Sequence, residues 1–223
     1  MNHFNLVEVG AKVAVFFVPF LFALCFHEFA HGWVARRKGD RTAEIMGRLT
    51  LNPFAHLDWF GTVILPIMAI AFQWPLFGWA KPVPVNSRNL ENPKKDMFWI
   101  ALAGPLSNVI LAVVGAVALG LVHPFLSESL RDPVSNMLVG FIWINLLLAI
   151  FNMIPMHPLD GGKVLARFLP ESANRKLEEN QSTMNMILIG VFLMGGFRYL
   201  AYPVGFLRDI LIGVAETVAR LIS

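Results

Sequence analysis

The residues best suited to chemistry are His27, Glu28 and His31, in the run His27-Glu28-Phe29-Ala30-His31. Positions i and i+4 of a helix lie on one face, so the two imidazoles sit about 6 Å apart along the axis and can hold one metal ion. Glu28 is one step round, where a carboxylate can address a water. Two neutral nitrogens, an open coordination position and a general base are the parts of a hydrolytic zinc site. So short a motif also arises by chance, but its setting argues against that. Cys25, Phe26, Phe29 and Ala30 embed it in an apolar run, and His27 lies roughly 13 Å along the helix from the basic stop at Arg36. Ionisable groups at that depth in a membrane are costly and mark function by default.

A third protein ligand is required. Asp40 and Glu44 follow the motif closely, but both lie beyond Arg36, Arg37 and Lys38 and are expected to face water. The better candidate is Asp160, in the block NMIPMHPLDGG from Asn152 to Gly162. There an apolar helix breaks at Pro155 and Pro158 and delivers one carboxylate at membrane depth. The bland alternative is that Asp160-Gly161 is only a turn. The single cysteine, Cys25, excludes an intramolecular disulfide and any multi-cysteine metal site.

The elements that must position these residues follow from composition. The chain has 223 residues, 56% hydrophobic and 15% charged, against roughly 45–50% and about 25% in ordinary globular domains. With a mean hydropathy of +0.60 it reads as a polytopic membrane protein. An excess of 18 Lys+Arg over 15 Asp+Glu is too small to suggest nucleic-acid binding. Apolar stretches run over about 9–35, 59–72, 97–122, 133–154, 184–200 and 204–222, the second interrupted by Pro66 and closed by Pro75. The first reads as a retained helix and not a signal peptide. Residues 47–52 and 81–86 carry strand-like patterns. The expected fold is all-α and polytopic, with about five to six membrane-embedded helical segments and a small β-hairpin or sheet near the active site. A single domain, 1–223, is expected.

Zinc–ligand bonds are near 2 Å, so Asp160 must lie at the depth of His27 and His31. That requires the segment 59–72 to be re-entrant, or the chain after it to return through protein-lined space. With a re-entrant segment, residues 36–96, 160–183 and the C-terminus hold 14 of the 18 Lys and Arg on one side, which the positive-inside bias assigns to the cytoplasm.

Three motifs in order now carry a resemblance: HExxH in a membrane helix, Ala103-Gly104-Pro105-Leu106-Ser107-Asn108 in a later one, and the Asn152 to Gly162 block. On these the chain resembles the site-2 protease family of intramembrane zinc metalloproteases. Segments 51–58 and 78–86 are similar to a compact prokaryotic branch without a PDZ domain. The resemblance implies one Zn2+ per chain held by His27, His31 and Asp160, with Glu28 as catalytic base and Asn108 as a polar group near the scissile bond. It implies hydrolysis of peptide bonds in or near transmembrane segments of membrane-protein substrates, within the lipid bilayer. The catalytic core is expected over about 9–168 and a gate over 184–222, in a multi-pass protein of the cell membrane with its site toward the cytoplasm. His157 stands where relatives carry proline and is expected to be interfacial, as are His56 and Asp58. Asn145 is expected to make an interhelical hydrogen bond, and Asn152 to brace the zinc shell. The rival reading is a metal transporter or metal-sensing protein using the same ligands without hydrolysis. Such a protein has no need of Glu28 beside the open position.

Overall fold

In a bilayer the backbone must satisfy its own hydrogen bonds, which leaves helices for a chain of this composition. The computed structural model, which describes residues 6–72 and 78–222, is predominantly helical and has no β-strand among those residues. The boundary read at Pro75 lies outside the described residues. Helix α1 (Leu6–Arg37) carries the HExxH motif and ends on Arg36 and Arg37. A short α2 (Thr42–Ile45) and a π-helix (Trp59–Ile64) lead into α3 (Leu65–Phe72). The long helices α4 (Pro93–Val122) and α5 (Glu128–Asn152) follow, then α6 (Asp160–Ala166), α7 (Glu171–Glu179), α8 (Gln181–Leu193) and α9 (Ala201–Ile222).

Val15–Arg37, Pro93–Phe125 and Glu128–Asn152 are long and apolar enough to cross a membrane. A fourth span is reached if α8 and the segment Gly196–Ile222, bent by 79° at their junction, count as one. This is fewer than six apolar stretches suggest, and the reason is local. The π-helix and α3 together extend about 21 Å at 1.5 Å per residue, short of a hydrocarbon core of about 30 Å. The stretch expected over 184–200 breaks at Met194, because Gly195 takes a left-handed φ of +72°. Crossings by α1, α4 and α5 alone would return the chain after Asn152 to the side on which α1 ends.

The expected sheet does not form. Pro82 and Pro84 have no N–H to give a ladder. The neighbouring donors go elsewhere: Lys81 N to His56 O (2.9 Å), Val83 N to Glu28 Oε2 (2.7 Å) and Asn86 N to Asp40 Oδ2 (2.7 Å). Residues 81–86 are thus an extended strap tied down by side chains and a loop carbonyl. Arg48 fastens it further by donating to Lys81 O at 2.6 Å. His56 is buried and not interfacial, with its ring nitrogen Nε2 donating to Thr50 O at 2.8 Å. Asp58 caps the π-helix by accepting from Phe60 N and Gly61 N.

Asp40 also departs from expectation. It is fully buried and receives hydrogen bonds from Thr42 N (3.1 Å), Asn89 Nδ2 (2.8 Å), Asn86 N and the Thr42 hydroxyl. Burial works against its ionisation, but these donors outweigh it and hold the carboxyl below its ordinary value. Glu44 is half-buried, and the hydrogen bond from Arg41, with Arg36 at 3.1 Å, holds its carboxyl low as well. Lys38 Nζ meets Asp96 Oδ1 at 3.2 Å and ties the end of α1 to the start of α4.

Asp40 therefore anchors the strap to the end of α1. Replacing it by alanine strands several donors, and we expect a loss of about 2–3 kcal/mol, read as a lower thermal midpoint in detergent. Because its folded pKa is depressed, the contribution is complete above the ordinary carboxylate value near 3.9 and disappears as pH falls below it. Asp40→Ala and wild type should then differ at neutral pH and converge in acid.

Candidate metal centre

The HExxH face of α1 packs against α4 at Gly104, where α4 offers no side chain. A Cβ on Gly104 would lie 2.4 Å from His31 Nε2 and 2.7 Å from His27 Cε1. Only glycine lets the helices approach so closely. One turn on, Asn108 is completely buried and accepts from His27 Nδ1 at 2.7 Å. Its amide nitrogen donates both hydrogens, to Ala23 O (3.1 Å) and to Asn145 Oδ1 (2.9 Å). His31 Nδ1 donates to Ile100 O at 2.6 Å. Pro105 has no N–H for the carbonyl of Ala101 and loosens this turn of α4. The adjacent carbonyl of Ile100 is the one that meets His31.

Asp160 arrives from 133 residues away as the first residue of α6. Gly161 makes this possible, since a Cβ there would lie 2.3 Å from Ile154 O and 2.5 Å from Met153 O. The chain leaving α5 therefore folds back on itself without a side chain between its turns. The Asp160 carboxylate comes to 3.1 Å from His27 Nε2 and 3.2 Å from His31 Nε2, and the two Nε2 atoms are 3.0 Å apart. All three residues are buried, at 4%, 8% and 5% exposure.

Both Nδ1–H groups are spent on oxygen acceptors, which leaves each Nε2 as a lone pair. Two lone pairs and a carboxylate oxygen thus converge within 3.2 Å with no donor between them. Such a set repels itself unless a cation stands at its centre. The nearly equilateral triangle matches the spacing of about 3.3 Å between ligands bound tetrahedrally at about 2.0–2.1 Å. The donor set therefore fits a divalent metal with one position left open. These three are the metal-capable group of His, Cys, Asp and Glu among the described residues. Glu28, next to His27, is half-buried and accepts from Val83 N.

The model of peptidase family M50 matches residues 15–126 and 119–196. The chain belongs to peptidase family M50. It is 35% identical over 189 residues to "Putative zinc metalloprotease YwhC" of Bacillus subtilis, which covers 83% of each chain. It is 32% identical over 170 residues to "Putative zinc metalloprotease Rip2" of Mycolicibacterium smegmatis, covering 76% of this chain and 62% of that one. For the Rip2 of Mycobacterium tuberculosis H37Rv the values are 29% over 180 residues, 78% and 64%. The chain thus spans under two thirds of these mycobacterial relatives. No solved structure matches it. As an M50 member with this donor cluster, the protein is a zinc-dependent peptidase.

Around this M50 site, the other polar residues marked in the sequence either bond within the bundle or stand outside the cluster. Asn108 has its amide wholly engaged inside the bundle. Asn145 makes the expected interhelical bond, to Asn108. Asn152 donates to Leu148 O of its own helix, at 3.0 Å, and does not reach the cluster. His157 is half-buried with its Nε2 unpartnered, and stands outside the metal-capable group. Cys25 donates to Leu51 O at 3.1 Å and packs. Three participants had no motif to mark them: the Ile100 carbonyl, the Val83 N–H, and Lys163, whose Nζ lies 3.8 Å from Asp160 Oδ1. Lys163 was reachable from its i+3 spacing to Asp160 on a helix.

Orienting groups of this kind are worth 10- to 100-fold in metal affinity. Asn108→Ala should weaken zinc binding by about that factor in competition with a chromogenic chelator, and Gly104→Ala should weaken it at least as much. Asn152→Ala should leave it within about twofold of wild type.

Proposed function

We propose that the chain is an intramembrane zinc endopeptidase that hydrolyses peptide bonds in or near the transmembrane segments of other membrane proteins. His27, His31 and Asp160 hold the zinc, Glu28 is the general base, and Asn108 is a positioning residue that acts through His27. The observation that supports this most directly is the convergence of the three buried acceptors beside Glu28, in a helix apolar enough to span a membrane. Zinc, when bound, polarises the scissile carbonyl and acidifies a water molecule.

The chain's own residues supply the rest. Glu28 accepts the proton of the attacking water, and the same proton passes to the nitrogen of the leaving amine as the C–N bond breaks. The Val83 N–H fixes Glu28 Oε2 and leaves its second oxygen for that transfer. Asn108 Oδ1 and Ile100 O hold the imidazoles in the tautomer that aims Nε2 inward. A helical substrate hides its carbonyls in its own hydrogen bonds, so it unwinds before reaction. The strap at 81–86 suits the unwound segment, because the carbonyls of Val83, Pro84 and Val85 take no donor among the described residues. An extended chain laid alongside can supply donors to them.

The membrane arrangement belongs to the same proposal. The segment 59–72 re-enters on the side where α1 ends, and that side is cytoplasmic, since residues 36–96 and 160–183 carry most of the basic residues. Helices α8 and α9, bent against each other, form the gate through which a substrate reaches the site.

Two measurements test this. Purified wild type should bind one zinc and cleave membrane substrates. Glu28→Gln should keep the zinc and lose at least 100-fold in kcat, whereas His27→Ala and Asp160→Ala should lose the metal. Full cleavage by zinc-loaded Glu28→Gln would disprove the mechanism. Cysteines at Ser87, Ser129 and Ser172 in a Cys25→Ser background should label from the cytoplasmic side at the first and third positions and from the opposite side at Ser129.

A further inference from the structure

Beside the metal centre, a cavity of about 870 Å3 opens between the start of α4 and the helices α6 and α7. It lies within the roughly 300–1,000 Å3 of ligand sites, yet no step of the hydrolysis uses it. Lys163 connects the two. It lines the cavity, and its Nζ stands 3.8 Å from the oxygen of Asp160 that faces away from the imidazoles. Lys163 therefore stands between the cavity and the proposed zinc ligand.

The walls state what they would accept. Lys94, Lys163 and Arg175 are matched by Glu171 and Glu178, so both signs of charge face the space. Met97 adds apolar surface. Asn174 fixes the wall, its Nδ2 donating to Ala166 O at 2.8 Å and so tying α7 to the end of α6. A simple anion would pair with the cations and leave the two glutamates unmatched. A polypeptide brings N–H donors, carbonyl acceptors and side chains of either charge.

We infer that this cavity is the subsite for the polar, membrane-proximal flank of the substrate, entered by the chain on one side of the scissile bond. The inference rests on the proteolytic reading and adds to it a second place where the substrate is gripped. Lys163 marks the junction, with its ammonium between the flank and Asp160. The membrane-buried part of the substrate determines what can reach the zinc, and the charged walls discriminate among the sequences that follow it.

The test uses the full-length protein in detergent with β-casein, an unfolded polypeptide that needs no unwinding. In a Cys25→Ser background, Ser172→Cys places a thiol on the cavity wall and Ser129→Cys places one on the far side. Each is modified with a methyl or a bulky polyethylene-glycol methanethiosulfonate, and kcat/KM is compared between the two adducts. The bulky adduct at Ser172 should lower kcat/KM at least tenfold relative to the methyl adduct, chiefly through KM, with zinc content unchanged. The same comparison at Ser129 should stay within twofold. Casein added to the Glu28→Gln protein should slow modification of Ser172→Cys at least threefold. Equal kcat/KM for the two adducts at Ser172, or an unchanged rate of modification under saturating casein, would overturn the inference. A protein that binds zinc but cleaves no casein even before modification would strike at the proteolytic reading instead, and the protection experiment would still decide the cavity.

Discussion

Three electron pairs aimed at one point are the constraint on which this molecule depends. His27 and His31 each surrender their Nδ1 proton to an oxygen that cannot move, an amide in the helix core and a main-chain carbonyl of α4. With Asp160 they enclose a small volume that is stable only around positive charge. Burying such a set uncompensated would cost several kcal/mol in an apolar bundle. A divalent ion converts the penalty into cohesion between α1 and a segment 133 residues later. Metal affinity and the docking of α6 are thus one quantity, and whatever loosens either loosens both.

Helix α4 is the platform for this arrangement. Gly104, Asn108, Ala112, Ala116 and Gly120 recur every four residues along it, and all are buried. The row is small enough for backbones to approach, which in a membrane stands in for the missing hydrophobic drive between helices. Its first member clears the imidazoles and its second holds one of them. Ala112 and Ala116 pack with Ile142 and Leu146 of α5, and a Cβ on Gly120 would lie 2.4 Å from Ala215 O of α9. One face of one helix therefore sets the registry of the site and of the C-terminal helix together.

Much of this was readable from the residues alone, and the exceptions share a cause. The HExxH pair lies at a fixed helical spacing, and spacing survives the journey from sequence to space; Asn108 and Asp160 stood out through motifs that resemble a known family. The long helices followed from hydropathy, with ends shifted by a few residues. The sheet at 47–52 and 81–86 did not follow, because alternation reports which face is buried and says nothing about where N–H groups find acceptors. Here Pro82 and Pro84 removed the ladder, and Glu28, Asp40 and the His56 carbonyl took the N–H groups of Val83, Asn86 and Lys81. Asp40 was misplaced for a similar reason: a carboxylate after three basic residues looks solvated until the chain wraps four donors around it. The stretch 184–200 is divided at Gly195, where one left-handed residue interrupts a hydrophobic run that composition treats as continuous.

The strap and the base are mechanically a single unit. Between Pro82 and Pro84 the backbone has one N–H, that of Val83, and it is committed to Glu28. Along residues 81–86 the N–H groups of Lys81, Val83 and Asn86 are committed within the chain, while the carbonyls of Val83, Pro84 and Val85 take no donor among the described residues. The contact that positions Glu28 thus also withholds the Val83 N–H from any neighbouring chain, and the two prolines beside it leave no other donor between residues 82 and 84.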